Sequence, residues 1–201
     1  QMAAERVGRA LCALRDRGAD VASVKRGLVE AVERANLEIL ERAAREPDKR
    51  GMGTTLTALV VFPSGAYVVG QVGDSRAYRL RGGRLEQLTR DHTVVQEQVD
   101  RGLLTGDQAR LHPLAHILTR ALGAQPEVHA DLVTGTAQPG DLFLLASDGL
   151  SGMVSDEAIA EILLRERDSL DRAAAALVDA ANREGGADNV TVVLVGLEAN
   201  R

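Results

Sequence analysis

The sequence predicts an α+β fold with antiparallel sheets, and three observations support this prediction. In the first third of the chain, apolar residues recur at helical spacing with charged residues between them. The middle of the chain is rich in Thr and Val, which favour strands. Helices, strands, further helices and a final strand follow one another as blocks, an order typical of α+β folds rather than of alternating βαβ units.

Two helices are predicted at the start of the chain. The apolar stripe over residues 7–14 predicts the first helix, with Gly18 as its end. The stripe over residues 28–39 predicts the second, which Pro47 ends because proline lacks a backbone N–H. Each helix has a single apolar stripe and must therefore pack on another element.

Strand-like segments follow in two groups. In the first group, glycine-containing turns separate the segments, which predicts an antiparallel meander over residues 54–62, 66–72, 75–81 and 84–88. The second group is predicted over residues 116–122, 128–136, 142–146 and 190–195. The segment 142–146 is almost wholly apolar, which indicates a central strand.

Shorter helical signals lie between and after these strands. A short helix is predicted over residues 93–102, and Thr105 with Gln108 forms a capping-box pair that predicts another. Ser155, followed by two acidic residues, is typical of a helix N-terminus. A last helix is predicted over residues 170–182.

The composition excludes several classes of protein. The 201 residues, 45% hydrophobic and 26% charged, suffice for one domain with its own core. With 24 basic and 29 acidic residues the net charge is −5, which argues against non-specific nucleic-acid binding. The single Cys12 excludes an intramolecular disulfide and a cysteine-rich zinc site. No apolar run approaches the ~20 residues of a membrane span and no signal peptide is recognised, so a cytoplasmic location is expected.

Three aspartates lie where metal ligands are often found. Asp148 follows the apolar segment 142–146 and precedes Gly149, which lets another group approach closely. Asp188 follows a glycine pair before the last strand, and Asp91 lies where a strand gives way to a helix. Local explanations stay open for each: an Asp-Gly turn for Asp148, bonding to its own backbone for Asp188, and a helix N-cap for Asp91.

Carboxylates of this kind suit hard divalent cations such as Mg²⁺ or Mn²⁺, which favour several oxygen ligands. Aspartates at strand ends can converge in space although they are distant in sequence. A pair of such ions ~3.5–4 Å apart can bind a phosphate and activate water. The sequence is therefore compatible with a two-ion site, although spacing alone does not establish the convergence.

Other polar residues have simpler explanations. His112 and His116 have the spacing of a zinc pair, but Pro113 lies between them and no Glu follows His112, so a surface or packing role is expected. His92 is expected either to contact phosphate or to be exposed. Cys12 is expected to be a small core residue of its helix.

Six short motifs, taken together and in order, resemble those of a known family. They are Gly51-Met52-Gly53-Thr54-Thr55, Gly73-Asp74-Ser75-Arg76, Asp91-His92-Thr93, Ala121-Leu122-Gly123, Ser147-Asp148-Gly149-Leu150 and Gly186-Ala187-Asp188-Asn189-Val190-Thr191. The chain resembles the metal-dependent protein phosphatase family (PPM, the type 2C serine/threonine phosphatases) in its compact bacterial form. The resemblance covers essentially the whole chain.

The resemblance implies a β-sandwich of two antiparallel sheets flanked by helices, with a binuclear Mn²⁺ or Mg²⁺ centre at one end. Asp148 and Asp188 match metal ligands of that centre, and Asp91 matches a position that helps to hold a third, looser ion. Residues 93–116 match a small helical flap beside the site. The implied activity is hydrolysis of phosphoserine and phosphothreonine by a metal-activated water, and no catalytic residue is identified beyond the metal ligands.

The chain departs from the family pattern in its N-terminal part. An Arg that binds phosphate, an Asn-Glu-Asp motif and an Asp-Gly-x-Gly-Gly motif, whose Asp bridges both ions, do not occur in the sequence. We therefore expect residues 1–201 to form a single PPM-type domain that is incomplete at its N-terminus. Little or no activity is expected if these residues are the whole polypeptide, since Asp148 and Asp188 alone offer too few charges to hold two ions tightly.

Two functions follow from these observations. The first is a protein serine/threonine phosphatase whose partners are phosphoproteins, the substrates of serine/threonine kinases, with no role for nucleic acid or a membrane segment of this chain. The alternative is a catalytically inactive, phosphatase-like module that binds a signalling partner.

Overall fold

Two antiparallel sheets with flanking helices make up residues 1–198, the part of the chain that the computed structural model describes. The α-helices are α1 (Met2–Asp16), α2 (Val21–Arg45), α3 (Val94–Asp100), α4 (Gly106–Arg110), α5 (Asp148–Ser151), α6 (Asp156–Arg165) and α7 (Leu170–Arg183). The strands are β1 (Leu56–Val61), β2 (Ala66–Val72), β3 (Arg76–Arg81), β4 (Arg84–Gln87), β5 (Asp131–Thr136), β6 (Leu142–Ala146) and β7 (Val192–Gly196). The predicted α+β class with two antiparallel sheets is confirmed.

The chain divides into two compact units. The first comprises Gln1–Asp74 and Asp91–Gly135, and the second comprises Ser75–Arg90 and the segment from Thr136 onward. The first unit contains the sheet β1-β2-β5, and the second contains the sheet β4-β3-β6-β7.

The core of the first unit lies between α2 and its sheet. The apolar stripe predicted from the sequence is the buried face of α2, where Leu28 and Val32 pack with Val68 and Val72 of β2. A Cβ on Gly70 would lie only 2.4 Å from the Leu28 Cδ2 atom, so a glycine in β2 lets the helix approach the sheet closely.

The core of the second unit lies between its sheet and the helices α6 and α7. Strand β6 lies between β3 and β7, in agreement with the central position expected from its apolar sequence. Tyr78 and Leu144 of the sheet pack with Ile159 of α6 and Leu177 of α7, and all four side chains are fully buried. The side chain of Ser155 caps α6 as predicted, since its Oγ accepts a hydrogen bond from the Ala158 N–H at 3.3 Å.

The predicted four-strand meander is wrong. β1 pairs with β2 in one sheet and β3 pairs with β4 in the other, so the chain changes sheets between β2 and β3. Gly73 lies at this change with a φ of +104°, a conformation that favours glycine and takes the backbone out of the ladder. Local alternation predicts strands but does not predict which strands pair.

The strand predicted over residues 116–122 is also wrong. This segment forms two isolated antiparallel bridges, one between Leu118 and Thr93 and one between Leu122 and Thr54. Because its hydrogen bonds are divided between two different parts of the chain, no continuous ladder forms. The next predicted strand, 128–136, is shorter than expected and begins at Asp131.

The remaining helical predictions agree with the structure. Thr105 and Gln108 form the capping box of α4, with both of its hydrogen bonds present. The region expected to be a flap, residues 93–116, contains α3 and α4. None of the helices in residues 1–198 combines the length and apolar character needed to cross a membrane.

Candidate metal centre

Two of the three candidate aspartates lie at the same end of one sheet. β6 and β7 are antiparallel, and Ala146 at the end of β6 pairs with Val192 at the start of β7. Asp148 comes just after this pair and Asp188 comes just before it. The pairing of these two strands therefore brings the segments that carry Asp148 and Asp188 to the same edge of the sheet.

Hydrogen bonds of Ser147 join the two segments that carry these aspartates. The Ser147 N–H donates to the Thr191 carbonyl at 3.0 Å, and the Thr191 N–H donates to the Ser147 Oγ at 3.0 Å. The same hydroxyl donates to the Asn189 carbonyl at 3.2 Å. The Ser147 side chain is thus bonded to the backbone of Asn189 and Thr191, which follow Asp188 in the chain.

Gly149 allows the two segments to lie in direct contact. A Cβ at this position would lie 2.4 Å from the Asn189 carbonyl oxygen and 2.9 Å from the Asn189 carbonyl carbon. Any larger residue would have to displace backbone atoms. The sequence indicated a close approach at this glycine, and the approaching group is the backbone that follows Asp188.

Both carboxylates are exposed, and one oxygen of each is held by a backbone amide. The Gly149 N–H donates to Asp148 Oδ1 at 3.0 Å, and the Asn189 N–H donates to Asp188 Oδ1 at 2.6 Å. Within residues 1–198, the second oxygen of each carboxylate, Oδ2, accepts no hydrogen bond. These bonds fix the orientation of each carboxylate and leave an oxygen of each available to a ligand.

The local explanations for these two aspartates have different outcomes. Asp148 does not lie in a β-turn, because it is the first residue of α5 with Ser147 as the N-cap. The self-bonding loop proposed for Asp188 is present, since its carboxylate accepts from the next backbone amide. That bond occupies one of the two carboxylate oxygens.

An open, polar depression of about 450 Å³ lies beside Asp188. Its walls come from the end of α7 and the loop that follows, namely Val178, Asn182, Gly186, Ala187, Asp188, Asn189 and Val190. The depression gives solvent and small ions access to the Asp188 carboxylate.

The carboxylate oxygens at this sheet edge are of the chemical type that a hard divalent cation binds, but they are fewer than such an ion needs. Carboxylate oxygens are the ligands that Mg²⁺ and Mn²⁺ favour, and these ions take about six ligands of which several can be water. Within residues 1–198 no group of three or more His, Cys, Asp or Glu side chains is close enough to hold an ion. Asp148 and Asp188 could therefore supply part of a coordination sphere.

Asp91 belongs to the first unit, in a segment joined to the turn at Gly73. The N-cap explanation for Asp91 is wrong, because Thr93 caps α3 by accepting a hydrogen bond from the Gln96 N–H at 3.2 Å. The neighbouring His92 donates its backbone N–H to the Gly73 carbonyl at 3.0 Å. The position of Asp91 is thereby tied to the end of β2.

The expectation that His92 contacts phosphate or is exposed is not met, because its ring is buried and bonded on both sides. Its Nδ1 accepts from the Gly73 N–H at 3.0 Å, so the ring proton is on Nε2, which lies 3.1 Å from Asp131 Oδ2. Arg120 donates to the other oxygen of Asp131 at 2.6 Å. Burial lowers the pKa of His92 and the Arg120 guanidinium lowers it further, outweighing the carboxylate of Asp131. No sequence signal joins these residues, since their pairing depends on the tertiary fold.

The remaining candidates form no site in the described part of the chain. His112 uses its Nδ1 to accept the Leu114 N–H at 3.1 Å, in keeping with the surface role expected for it. Cys12 is exposed on α1, so its predicted place in the core is wrong. The buried face of that helix is formed by Ala3 and Val7 instead.

Comparison with known proteins gives consistent matches. The family described as protein phosphatase 2C matches residues 1–193. The serine/threonine protein phosphatase PstP of Mycobacterium tuberculosis is 44% identical over 164 residues, which are 82% of this chain and 31% of that protein. The serine/threonine phosphatase stp of Listeria monocytogenes is 41% identical over 168 residues, which are 84% of this chain and 66% of that protein. The chain thus spans about a third of PstP and about two thirds of stp.

A solved structure shows the same fold. The crystal structure of the catalytic domain of PstP in complex with two manganese ions matches with a TM-score of 0.80 and 41% sequence identity, covering 96% of this chain and 79% of that one. The family match spans nearly all of the sequence, and the structural match extends over both sheets and their helices. The chain therefore belongs to the protein phosphatase 2C family.

Proposed function

We propose that this chain is part of a protein serine/threonine phosphatase that hydrolyses phosphoserine and phosphothreonine in proteins. The observation that carries the proposal is the placement of Asp148 and Asp188 at one end of the β6–β7 pair, each with an oxygen available to a ligand. Membership of the protein phosphatase 2C family and the names of the relatives support the reaction.

The cofactor we propose is a pair of Mn²⁺ or Mg²⁺ ions, with a third ion near Asp91. Such ions neutralise the charge on phosphoryl oxygens and activate water for attack on phosphorus. The manganese ions of the PstP catalytic domain support this choice. The domain would extend over residues 1–201, with residues 93–116 as its flap.

The residues of this chain would bind the ions and orient the carboxylates that hold them. Asp148 and Asp188 would hold ions through Oδ2, while the amides of Gly149 and Asn189 keep each carboxylate from rotating. A ligand pair that is oriented before the ions bind loses less conformational entropy on binding. Substrates would be phosphoproteins produced by serine/threonine kinases.

Removal of either carboxylate tests the proposed function. In the full-length protein, Asp148→Asn and Asp188→Asn should each lower Mn²⁺-dependent hydrolysis of p-nitrophenyl phosphate and of a phosphothreonine peptide by at least about 100-fold, because even outer partners of metal ligands contribute 10–100-fold. The matched control is Asp179→Asn, which changes an exposed carboxylate on α7 and should leave the rate unchanged.

Two results would contradict the proposal. The first is an Asp148→Asn variant with the rate of the unmodified protein. The second is a full-length protein that takes up no Mn²⁺ in titration calorimetry, which would support the inactive binding module instead.

A further inference from the structure

Ser147 differs from the other serine and threonine N-caps of the chain in what its hydroxyl does. Thr93, Thr105, Ser155 and Ser169 each accept a hydrogen bond from the third residue of the helix that they precede. Ser147 precedes α5 but its side chain makes no such bond. Its hydroxyl bonds to Asn189 and Thr191 instead.

The segment that carries Asp188 depends on this hydroxyl for its position. Residues 187–189 are exposed and follow two glycines with positive φ, Gly185 at +124° and Gly186 at +54°. Within residues 1–198, every hydrogen bond that joins segment 187–191 to another segment ends on Ser147. Two of these three bonds use its Oγ atom.

We propose that Ser147 is a positioning residue that sets the separation of Asp148 and Asp188 for metal binding. This inference rests on the proposed function, because it assumes that the two aspartates hold ions. The Ser147 hydroxyl donates to one backbone group and accepts from another at the same time, which an apolar side chain cannot do. Since Asp148 is the next residue in the chain, the same serine connects both ligands.

The contact at Gly149 complements this connection. It prevents the two segments from moving closer, because the Asn189 backbone already touches the glycine. The Ser147 hydroxyl prevents them from moving apart. Loss of the hydroxyl should therefore weaken metal binding while the fold of the second unit, which depends on the core around Leu144 and Ile159, persists.

The test compares Ser147→Ala with Ser147→Thr in the full-length protein. Outer partners of metal ligands contribute about 10–100-fold to affinity, so Ser147→Ala should raise the Kd for Mn²⁺ about 10-fold in titration calorimetry. The turnover rate at saturating Mn²⁺ should change far less than the Mn²⁺ concentration that gives half of the maximal rate. Ser147→Thr keeps a hydroxyl and should restore the Kd.

A matched control and a structural readout distinguish positioning from general destabilisation. Ser155→Ala removes a serine hydroxyl that caps α6 in the same unit but makes no hydrogen bond to the aspartate segments, and it should leave the Kd unchanged. Hydrogen exchange at the Thr191 amide should accelerate in Ser147→Ala only, because its acceptor is lost.

The outcomes are distinguishable from failure of the proposed function. If Asp148→Asn abolishes Mn²⁺ binding but Ser147→Ala binds as tightly as the unmodified protein, the role of Ser147 is refuted and the phosphatase proposal stands. Equal weakening by Ser147→Ala and Ser147→Thr would also refute it, since the hydroxyl would not be the cause. If the unmodified protein binds no Mn²⁺, the proposed function and this inference both fail.

Discussion

Asp141 is the most completely buried carboxylate of the chain among the described residues, with a side chain only 1% exposed. Its carboxylate accepts hydrogen bonds from Arg81 Nε at 2.7 Å and from Arg81 Nη2 at 2.5 Å, a bidentate geometry that strengthens the ion pair. The Gln138 N–H also donates to it at 2.8 Å. These bonds attach the turn before β6 to β3.

Replacement of Asp141 by Asn should destabilise the fold. An asparagine amide has the shape of the carboxylate but carries no charge, so Arg81 loses its charge partner. The amide NH₂ group would also face the N–H groups of Arg81, and two donors cannot bond to each other. Since Arg81 is partly exposed, the expected loss is about 2 kcal/mol in the free energy of unfolding at pH 7, below the 3–5 of a fully buried pair. Urea denaturation monitored by circular dichroism measures it.

The pH dependence gives a second readout of the same substitution. Burial raises the pKa of Asp141, but the Arg81 hydrogen bonds and the Gln138 amide outweigh it, so the pKa lies below its ordinary value. The stabilisation is therefore present above a pH of about 4, the unfolded pKa, and is lost as the pH falls through the folded pKa. The difference between Asp141→Asn and the unmodified protein should shrink below that pH.

A surface pair provides the control for Asp141. Asp16→Asn removes the partner of Arg15 in an exposed ion pair and should change stability by less than about 1 kcal/mol. Similar losses for the two variants would show that burial does not strengthen the Arg81 pair. Sequence alone did not single out Asp141, because it follows Pro139-Gly140 and looks like a turn residue, while its partner is distant in the chain.

At the scale of elements, the accuracy of the sequence predictions depended on how local each signal is. The bounds predicted for β6, residues 142–146, are the observed ones, because an apolar run between turns is a local pattern. The meander was predicted wrongly because strand partners depend on where the chain leaves a sheet. The segment 116–122 has strand-like composition but divides its hydrogen bonds between Thr93 and Thr54.

Helix α2 contains a buried polar residue that attaches a loop to it. Asn36 is 1% exposed and accepts from the Gly123 N–H at 2.7 Å. Its Nδ2 donates to the carbonyls of Gln125 at 2.8 Å and Pro126 at 3.1 Å. The loop after the Ala121-Leu122-Gly123 motif is therefore held against the helix by one side chain.

Asn36→Ala should destabilise the first unit although alanine is the better helix former. The gain in helix propensity is about 0.7 kcal/mol at most, whereas the buried Gly123 N–H, left without its acceptor, costs about 1–3 kcal/mol. A net loss of about 1 kcal/mol is expected in urea denaturation, with faster hydrogen exchange at the Gly123 amide. The control Glu33→Ala, at an exposed position of α2, should change stability by less than about 0.5 kcal/mol. A gain in stability on Asn36→Ala would show that the loop does not depend on this side chain.

At the scale of the whole molecule, the sequence singles out the two aspartates proposed as metal ligands, but it does not predict the contacts that hold them in place. Asp148 and Asp188 were recognised from short motifs, and the β6–β7 pairing brings them to one sheet edge. The bonds of Ser147 to the 189–191 segment leave no pattern in the sequence, because they use one side chain and backbone groups. A site of this kind is specified by local motifs and positioned by non-local contacts.

Metal binding at that edge should stabilise the entire fold, because an ion that binds only the native state shifts the unfolding equilibrium. At about 100 times its Kd, Mn²⁺ should add about 2.7 kcal/mol to the free energy of unfolding of the full-length protein. For a domain of this size that corresponds to a rise of about 5–10 °C in the Tm. Differential scanning calorimetry with and without Mn²⁺ measures the rise.

The variants separate binding from intrinsic stability in this measurement. Asp148→Asn removes an exposed carboxylate that we propose as a ligand, so the Tm of the variant without metal should be close to that of the unmodified protein, and Mn²⁺ should raise it little. Asp141→Asn should start from a lower Tm and still gain the full rise, because Asp141 is bonded to Arg81 and lies outside the aspartate segments. An equal rise in all three proteins would mean that Mn²⁺ binds elsewhere, and the assignment of Asp148 as a ligand would have to be abandoned.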